Sequence, residues 1–209
     1  DRRFYEHNGV DVWGIGRALV RNVRQGAVRE GASTITQQLA RTVFLSQDRT
    51  ITRKLREAAL AYKLERQLSK EQILEQYLNY VYLGASAYGL SDAAWVYFSK
   101  TPNQLNLQEA SLIAGLPPAP SVYSPLVNPD LALERRSIVL NRMQQAGFIT
   151  ASEAEQARNS PLDLKPAIPK YFNSSAPYFT SWVAQQLPQL LTPEQIEVGG
   201  LKIRTSLNL

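Results

Sequence analysis

The sequence predicts a mainly α-helical domain, and three observations support this fold class. Apolar residues recur every three or four positions through most of the chain, as on the buried face of an amphipathic helix. The segments Ser69–Gln72 and Thr150–Glu153 are capping boxes, which mark the starts of helices. The third observation is that the strand-like alternation, LKIRTSL after Gly199 and Gly200, lies at the end of the chain, beyond the predicted helices.

The predicted helices follow one another along the first three quarters of the chain. Between two of them, PPAPSVYSP at 117–125 is predicted as an extended loop, because proline breaks helices. Asn128 is predicted to cap a helix that has Pro129 at its first position, where proline is favoured. The predicted helices cover 12–28, a segment from Ile35, 51–67, 69–84, 91–98, 106–115, 129–147 and a segment from Thr150.

Residues 12–28 form a predicted helix with two interpretations. Trp13 and several aliphatic residues lie on one side, with Arg17, Arg21 and Arg24 between them. Such a helix is most often packed on a core. It also fits a helix on a membrane surface, where arginines meet anionic head groups. The residues alone leave both interpretations open.

From about Ser160 the helical pattern gives way to a connector. The stretch SPLDLKPAIPKYFNSSAPYF holds four prolines and few periodic apolar residues, which predicts a linker or a strap along the surface. One further helix is predicted at Tyr178–Leu191. We therefore expect a helical domain over 1–158 and a connector over 159–209. The abrupt first and last residues lead us to expect a neighbouring domain, and a membrane anchor, outside this sequence.

Composition and charge narrow the classes of function. The 209 residues carry a net charge of +5, which favours an anionic partner such as a phosphorylated substrate, a membrane surface or nucleic acid. Because the chain has no cysteine, disulfides, thiol catalysis and cysteine-ligated zinc are excluded. His7 is the single histidine, so a histidine-rich metal site is excluded, and we expect His7 to pack on Phe4. The sequence contains no run of about 18 apolar residues, so no membrane-spanning helix is predicted within it.

The positive charge is concentrated in the stretch from Gly31 to Arg66. Residues 41–70 alone hold eight basic and three acidic residues, a net charge equal to that of the whole chain. On a helix, Arg53 and Lys54 lie one turn before Glu57, so both cations can flank this carboxylate and favour its ionised form. One interpretation is a phosphate site with an acid beside it. The other is a solvated helix face with ordinary surface ion pairs.

The segment GASTITQQLAR, which begins with a small, hydroxyl-rich turn, precedes the helix that carries Glu57. Ser33 or Thr34 can cap the helix that starts at Ile35, and the amides and hydroxyls of the turn are predicted to face a ligand. Gln37 and Gln38 cannot titrate, so they are candidate hydrogen-bonding residues rather than acids or bases.

The sequence resembles the peptidoglycan glycosyltransferase domain of bifunctional class A penicillin-binding proteins. Five motifs of that family stand in order and with matching spacing: DRRFYEH, GASTITQQLAR, RKLREAALAYKLER with SKEQILEQYLNYVYLG, AYGLSDAAWVYFSK, and EASLIAGLPPAPSVYSP with RRSIVLNRM. The tail resembles the connector into the transpeptidase domain of that family. The resemblance implies a lysozyme-like helical head and a small jaw in the outer leaflet of the membrane. It places residues 12–28 in or near that jaw.

The resemblance also implies a reaction, the polymerisation of lipid II. The 4-hydroxyl of an incoming lipid II attacks the anomeric carbon of the growing glycan chain, and undecaprenyl pyrophosphate leaves with inversion to a β-1,4 link. A sugar hydroxyl needs a carboxylate base, and a pyrophosphate leaving group needs cations, hydroxyls or a divalent metal. The implied location is the outer face of the bacterial cytoplasmic membrane, with other cell-wall machinery as partners and moenomycin as an inhibitor.

The motifs of the family assign site residues to this sequence. Glu57 matches the second glutamate, which assists the leaving group or a metal, so Mg²⁺ or Mn²⁺ is a candidate cofactor. The first motif of the family reads Glu-Asp-Arg-x-Phe, and its glutamate is the general base. This sequence begins at that aspartate, as Asp1, so the base is expected immediately before residue 1. The resemblance implies that the following residues bind substrate: Asp1, Arg3, Ser33, Thr34, Gln37, Gln38, Arg41, Arg49, Arg53, Lys54 and Arg56.

Two other functions fit parts of the sequence. A lysozyme-like glycan hydrolase or lytic enzyme would also place two carboxylates across a sugar groove. Hydrolysis of a neutral glycan, however, provides no pyrophosphate for the cations around Glu57. A non-enzymatic binder of anionic surfaces would not require a hydroxyl-rich turn beside its charges. Nucleic acid is the least supported partner, because basic and aromatic residues are not interleaved.

Overall fold

The computed structural model describes residues 1–17, 33–44, 50–169, 177–192, 203 and 205. In this part of the chain the regular structure is helical, and the pairing of extended backbone is limited to an isolated bridge between Tyr82 and Tyr88. The predicted mainly α fold is therefore confirmed. The chain divides into two compact units, Asp1–Val81 and Tyr82–Leu209.

The helices lie close to the positions predicted from the sequence. Residues 12–17 are helical at the described start of the predicted 12–28 helix. A short 3₁₀ helix, Pro102–Gln104, stands between two of the α-helices. The α-helices are α1 Ile35–Phe44, α2 Ile51–Gln67, α3 Lys70–Tyr80, α4 Gly89–Phe98, α5 Leu107–Ala114, α6 Pro129–Gln145, α7 Ala151–Asn159 and α8 Pro177–Leu190.

Helix α3 ends earlier than the sequence predicts. The prediction extends this helix to Gly84, but α3 stops at Tyr80. Gly84 has a φ of 85°, and the two residues after it also have positive φ values, so the chain leaves the helical conformation here. A side chain at Gly84 would meet the carbonyl oxygen of Pro120 at 2.6 Å. Close packing and backbone conformation therefore both require glycine at this position.

The first unit packs α1, α2 and α3 around a small apolar cluster. Phe4, Leu39 and Ile73 are the buried members of this cluster. The N-terminal segment (residues 1–7) therefore contributes an aromatic ring to the same core as α1 and α3, and burial of these side chains stabilises the unit. Ser69 forms the predicted capping box at the start of α3.

In the second unit, α6 packs against both α5 and α7. The capping boxes of Asn106 with Glu109 and of Thr150 with Glu153 form as predicted. The prediction that the Asn128 side chain caps α6 is wrong. Asn128 precedes α6, but its side-chain amide donates to the carbonyl of Val122 at 2.8 Å and makes no capping hydrogen bond.

Residues 161–169 lie as an extended strap along α4. The amides of Lys165 and Ala167 donate to the carbonyls of Tyr97 and Val96 at 2.9 and 3.0 Å. These carbonyls belong to the last turn of α4, where a helix leaves carbonyl groups without internal partners. The strap therefore provides hydrogen-bond donors for two carbonyls at the end of α4. The domain boundary at residue 158 stays a prediction, and nearly all of the strand-like tail after Gly199 lies outside the described residues.

The described start of the 12–28 helix is exposed. Val12 and Trp13 are 72% and 77% exposed, so these residues are not packed as a core helix would be. Residues 18–28 lie outside the described residues. None of the helices in the described ranges combines the length and the apolar composition that a bilayer span requires.

Candidate active site

Glu57 lies at the centre of a cluster of charges on α2. Its side chain is 1% exposed. Arg53, four residues earlier, donates from Nη1 to Oε1 of Glu57. Lys54, three residues earlier, donates from Nζ to Oε2 at 2.7 Å. The predicted flanking of Glu57 by these two cations is confirmed, and its burial distinguishes the cluster from a solvated helix face.

Lys54 also joins α2 to the turn before α1. Its Nζ lies 2.7 Å from Oγ of Ser33. The side chain of Lys54 is 47% exposed, whereas that of Arg53 is 16% exposed. Lys54 is therefore both bonded to the buried carboxylate and open to solvent. Such a cation can donate a charge-assisted hydrogen bond to an anion that arrives from outside.

Thr34 and Gln37 form a capping box at the start of α1. Thr34 N donates to Oε1 of Gln37 at 3.0 Å, and Gln37 N donates to Oγ1 of Thr34 at 3.1 Å. The Thr34 hydroxyl also donates to the carbonyl of Gly9 at 2.6 Å. Both side chains are buried. A substrate that used the Thr34 hydroxyl or the side-chain carbonyl oxygen of Gln37 would compete with these hydrogen bonds.

Three of the backbone amides at the start of α1 donate to side chains of the protein. Ile35 N donates to Oδ2 of Asp1 at 3.0 Å, and the amides of Thr34 and Gln37 are taken by the capping box. The expectation that the amides of this turn face a ligand is therefore wrong for Thr34, and for Gly31 and Ala32 it lies outside the described residues.

Gln38 and Arg41 are the other predicted site residues of α1. Gln38 is half-buried, with Nε2 3.4 Å from the Ser33 carbonyl and Oε1 3.4 Å from the Tyr77 hydroxyl. Burial raises the pKa of Tyr77, and the nearby charge of Arg41 opposes that shift. Arg41 itself is exposed at the end of α1.

Two of the predicted phosphate partners are not placed at the cluster. Arg56 is exposed, and in the described part of the chain it is not among the cations bonded to Glu57. It directly precedes Glu57 on a helix, so its side chain leaves the helix about 100° away from that of Glu57. Arg49 lies outside the described residues. The roles predicted for these two arginines stay predictions.

The N-terminal segment is tied to α1 through Asp1. The carboxylate of Asp1 accepts from Ile35 N, and Nε2 of His7 lies 3.0 and 3.1 Å from its two oxygens. Only 2% of this side chain is exposed. Arg3 pairs with Glu6 at 2.7 Å and lies 3.4 Å from Asp11. The structure thus gives both predicted substrate residues contacts within the protein.

His7 has a defined hydrogen-bonding role. Its Nδ1 accepts from Gly9 N at 3.2 Å, so Nε2 carries the proton and donates to Asp1. Burial, and next the charge of Lys70, lower the pKa of His7, whereas the neighbouring carboxylates oppose this shift. The ring meets Phe4 edge to face at 6.3 Å, the packing that the sequence led us to expect.

A second, partly buried ion pair lies beside the N-terminal segment, and sequence reasoning did not single it out. Lys70 Nζ is 2.7 Å from Oε1 of Glu65. The same oxygen accepts from the Thr36 hydroxyl at 2.6 Å, and Lys70 also donates to the carbonyl of His7 at 2.6 Å. The sequence shows Glu65 and Lys70 five residues apart across a helix break. That spacing alone does not predict a buried pair.

The donor set at Glu57 does not fit a divalent cation. Both carboxylate oxygens already accept from cations, and these cations would repel a metal ion. Within the described ranges no three acidic, histidine or cysteine side chains are grouped as metal ligands. The predicted Mg²⁺ or Mn²⁺ stays a prediction.

Comparison with known proteins assigns the family. The sequence model described as Transglycosylase matches residues 1–144, which is more than half of the chain. The chain belongs to the transglycosylase family. It is 47% identical to penicillin-binding protein 1A of Neisseria lactamica over 206 residues, and 49% identical to penicillin-binding protein 1A of Escherichia coli K12 over 187 residues. The resemblance proposed from the five motifs is therefore confirmed.

Among solved structures, this transglycosylase chain is similar to penicillin-binding protein 1A from Haemophilus influenzae. The TM-score is 0.50 at 38% sequence identity, and the match covers 61% of this chain and 19% of that chain. The two curated relatives are covered over 26% and 22% of their length, against 99% and 90% of this chain. The transglycosylase chain thus spans about a quarter of the length of its curated relatives.

Proposed function

We propose that the chain is a peptidoglycan glycosyltransferase that polymerises lipid II. In this reaction the 4-hydroxyl oxygen of the acceptor forms a bond to the anomeric carbon of the donor. The bond from that carbon to the pyrophosphate oxygen breaks, and its electron pair leaves with undecaprenyl pyrophosphate. Inversion at the anomeric carbon gives the β-1,4 link. The observation that carries this proposal is the buried carboxylate of Glu57 with one cation that reaches solvent.

The charges at Glu57 suit a departing pyrophosphate. Negative charge increases on the leaving oxygen as the bond breaks, and a preorganised cation there lowers the barrier. Lys54 has the exposure to provide that contact, while Arg53 lies deeper against Glu57. Glu57 holds both cations in place. Its role in this proposal is therefore to position and partly neutralise the groups that meet the leaving group.

The acceptor hydroxyl requires a base, since a sugar hydroxyl is a poor nucleophile at neutral pH. The first motif of the family provides a glutamate immediately before the residue that matches Asp1. We propose that this glutamate accepts the proton. Its position would follow from that of Asp1, which is fixed by hydrogen bonds to Ile35 and His7.

The proposed substrate is a membrane lipid, and the exposed start of the 12–28 helix supports contact with a membrane. Val12 and Trp13 present apolar surface to solvent in the same unit as Glu57. We propose that the chain acts at the outer face of the bacterial cytoplasmic membrane, with a membrane anchor and other cell-wall machinery as partners. Moenomycin, a phosphoglycolipid, would occupy the donor side.

Substitution of Glu57 by glutamine tests this function. In a polypeptide that also carries the glutamate proposed before Asp1, Glu57→Gln should reduce glycan formation from labelled lipid II by about 100-fold or more, because both cations lose their anionic partner. Glu75→Gln is the matched control, since Glu75 is exposed on α3 of the same unit. A Glu57→Gln rate close to that of Glu75→Gln would rule out the role of Glu57.

The same assay separates the proposal from the alternative of a glycan hydrolase. A hydrolase would shorten a preformed glycan strand that carries no pyrophosphate, whereas the proposed enzyme would leave such a strand intact and extend it only with lipid II. Cleavage of that strand by the unsubstituted protein would favour the hydrolase.

A further inference from the structure

Lys70, on α3, directly contacts α2 and the N-terminal segment, and it reaches α1 through a second residue. It is the first residue of α3, and its ammonium group is bonded to Glu65 near the end of α2. The same group donates to the carbonyl of His7 and lies 4.6 Å above the ring of Phe4. Through Glu65 it reaches the Thr36 hydroxyl on α1. A single cation therefore joins the N-terminal segment to all three helices.

This junction is largely withdrawn from water. The side chains of Lys70 and Glu65 are 17% and 5% exposed. Hydrogen bonds to charged groups are stronger than neutral ones, and more so where water is excluded. Because removal of one partner leaves the other charge buried without compensation, the geometry of such a pair is strongly maintained.

The N-terminal segment has few other means of holding its position. It contains turns rather than a helix or a strand, and within it the amides of Glu6 and His7 donate hydrogen bonds to the carbonyl of Arg3. Its contacts with α1, α2 and α3 include the ring of Phe4 in the core, the Asp1 carboxylate at the start of α1, and the His7 carbonyl on Lys70. The contact with Lys70 fixes the C-terminal end of the segment.

We propose that Lys70, through its ion pair with Glu65, is a positioning residue that sets the distance between Glu57 and the base that precedes Asp1. This inference rests on the proposed function for the role of that base. Lys70 does not touch the Glu57 cluster. Its effect is on the approach of the acceptor-side base to the donor, and misplacement of a reacting group by about 1 Å can lower a rate about 100-fold.

The second unit provides a matched control. Lys100 pairs with Glu109 at 2.6 Å, and the side chain of Glu109 is as buried as that of Glu65. Lys100→Met thus removes the cation of another partly buried ion pair from a unit that holds neither Asp1 nor Glu57. An effect that is specific to Lys70 cannot then be ascribed to the loss of a buried ion pair in general.

The test compares Lys70→Met with Lys100→Met in the polypeptide that carries the preceding glutamate. We expect Lys70→Met to lower kcat for lipid II polymerisation by about 10- to 100-fold, with KM and the affinity for moenomycin changed by less than about twofold. Lys70→Arg, which keeps the charge, should recover much of the rate. Equal effects of Lys70→Met and Lys100→Met on kcat would overturn the inference.

A readout that does not require activity separates this inference from the proposed function. Ile35 N donates to Asp1, so its amide hydrogen exchange reports whether the N-terminal segment is docked on α1. Exchange at Ile35 should be faster in Lys70→Met and unchanged in Lys100→Met. If the unsubstituted protein fails to polymerise lipid II, the proposed function fails. Unchanged exchange in Lys70→Met would overturn the positioning role whatever the activity.

If Lys70→Met does not fold, the double variant Glu65→Gln with Lys70→Met takes its place, since it leaves no buried charge without a partner. The same changes in kcat and in Ile35 exchange are expected of it. A double variant with the kcat and exchange of the unsubstituted protein would equally overturn the inference.

Discussion

Replacement of Lys54 by methionine tests the phosphate site on α2. An ammonium group has three N–H donors. Two of them are used in the structure, toward Ser33 Oγ and Glu57 Oε2, both at 2.7 Å. One donor remains for a phosphate oxygen, on a side chain that is 47% exposed. A hydrogen bond to a charged group contributes about 1.5–3 kcal/mol, which corresponds to a roughly 10- to 150-fold change in Kd.

The measurement is a calorimetric titration with moenomycin at constant ionic strength. Lys63→Met is the control, because Lys63 is exposed on the same helix and its loss changes the net charge equally. The difference between the two variants therefore reports the contact rather than the long-range field. If Lys54→Met, folded by circular dichroism, binds moenomycin within twofold of Lys63→Met, Lys54 does not hold a phosphate.

Two further predictions concern the unit that carries the site. Ile73→Ala should lower the free energy of unfolding by about 2–5 kcal/mol, because Ile73 is fully buried beside Phe4 and Leu39. The control Leu78→Ala, at the surface, should lower it by less than about 1 kcal/mol. Urea unfolding measures both losses, and equal losses would contradict this packing. The lowered pKa of His7 means that the folded chain binds fewer protons than the unfolded chain just below pH 6.5. The contribution of neutral His7 to the free energy of unfolding is thus complete above that pH, and it is lost as the pH falls through the lowered pKa. Urea midpoints measured from about pH 5 to 7 should depend less on pH in His7→Gln, and an equal dependence in both proteins would refute the assignment.

Local patterns account for the parts of the structure that the sequence predicted. Capping boxes involve residues three positions apart, so Ser69 with Gln72 and Thr150 with Glu153 could be recognised from spacing alone. The cations at Glu57 follow from helical periodicity in the same way. The same spacing relates Thr34 to Gln37, and the predicted cap of α1 by Thr34 is confirmed. The substrate-binding roles of these two residues stay predictions.

Contacts between distant segments could not be derived in this way. Nothing in the sequence shows that Asp1 reaches the amide of Ile35, or that Lys70 reaches the carbonyl of His7. Both contacts depend on the insertion of Phe4 into the core formed by α1 and α3. The early end of α3 likewise depends on close packing of Gly84 against Pro120, a residue far along the chain. These features are determined by packing between segments, which cannot be predicted from the periodicity of a single segment.

The charge balance around Glu57 indicates how a pyrophosphate would be held. One cation would be enough to compensate a buried carboxylate, yet Glu57 has two, which leaves the cluster with a net positive charge. The cation with the greater exposure is Lys54, so the excess charge lies toward solvent. The amides of Thr34, Ile35 and Gln37 are already used by the Thr34–Gln37 box and by Asp1. In the proposed function Lys54 would therefore hold the phosphate, and substitutions that only weaken the cap of α1 should lower stability more than affinity.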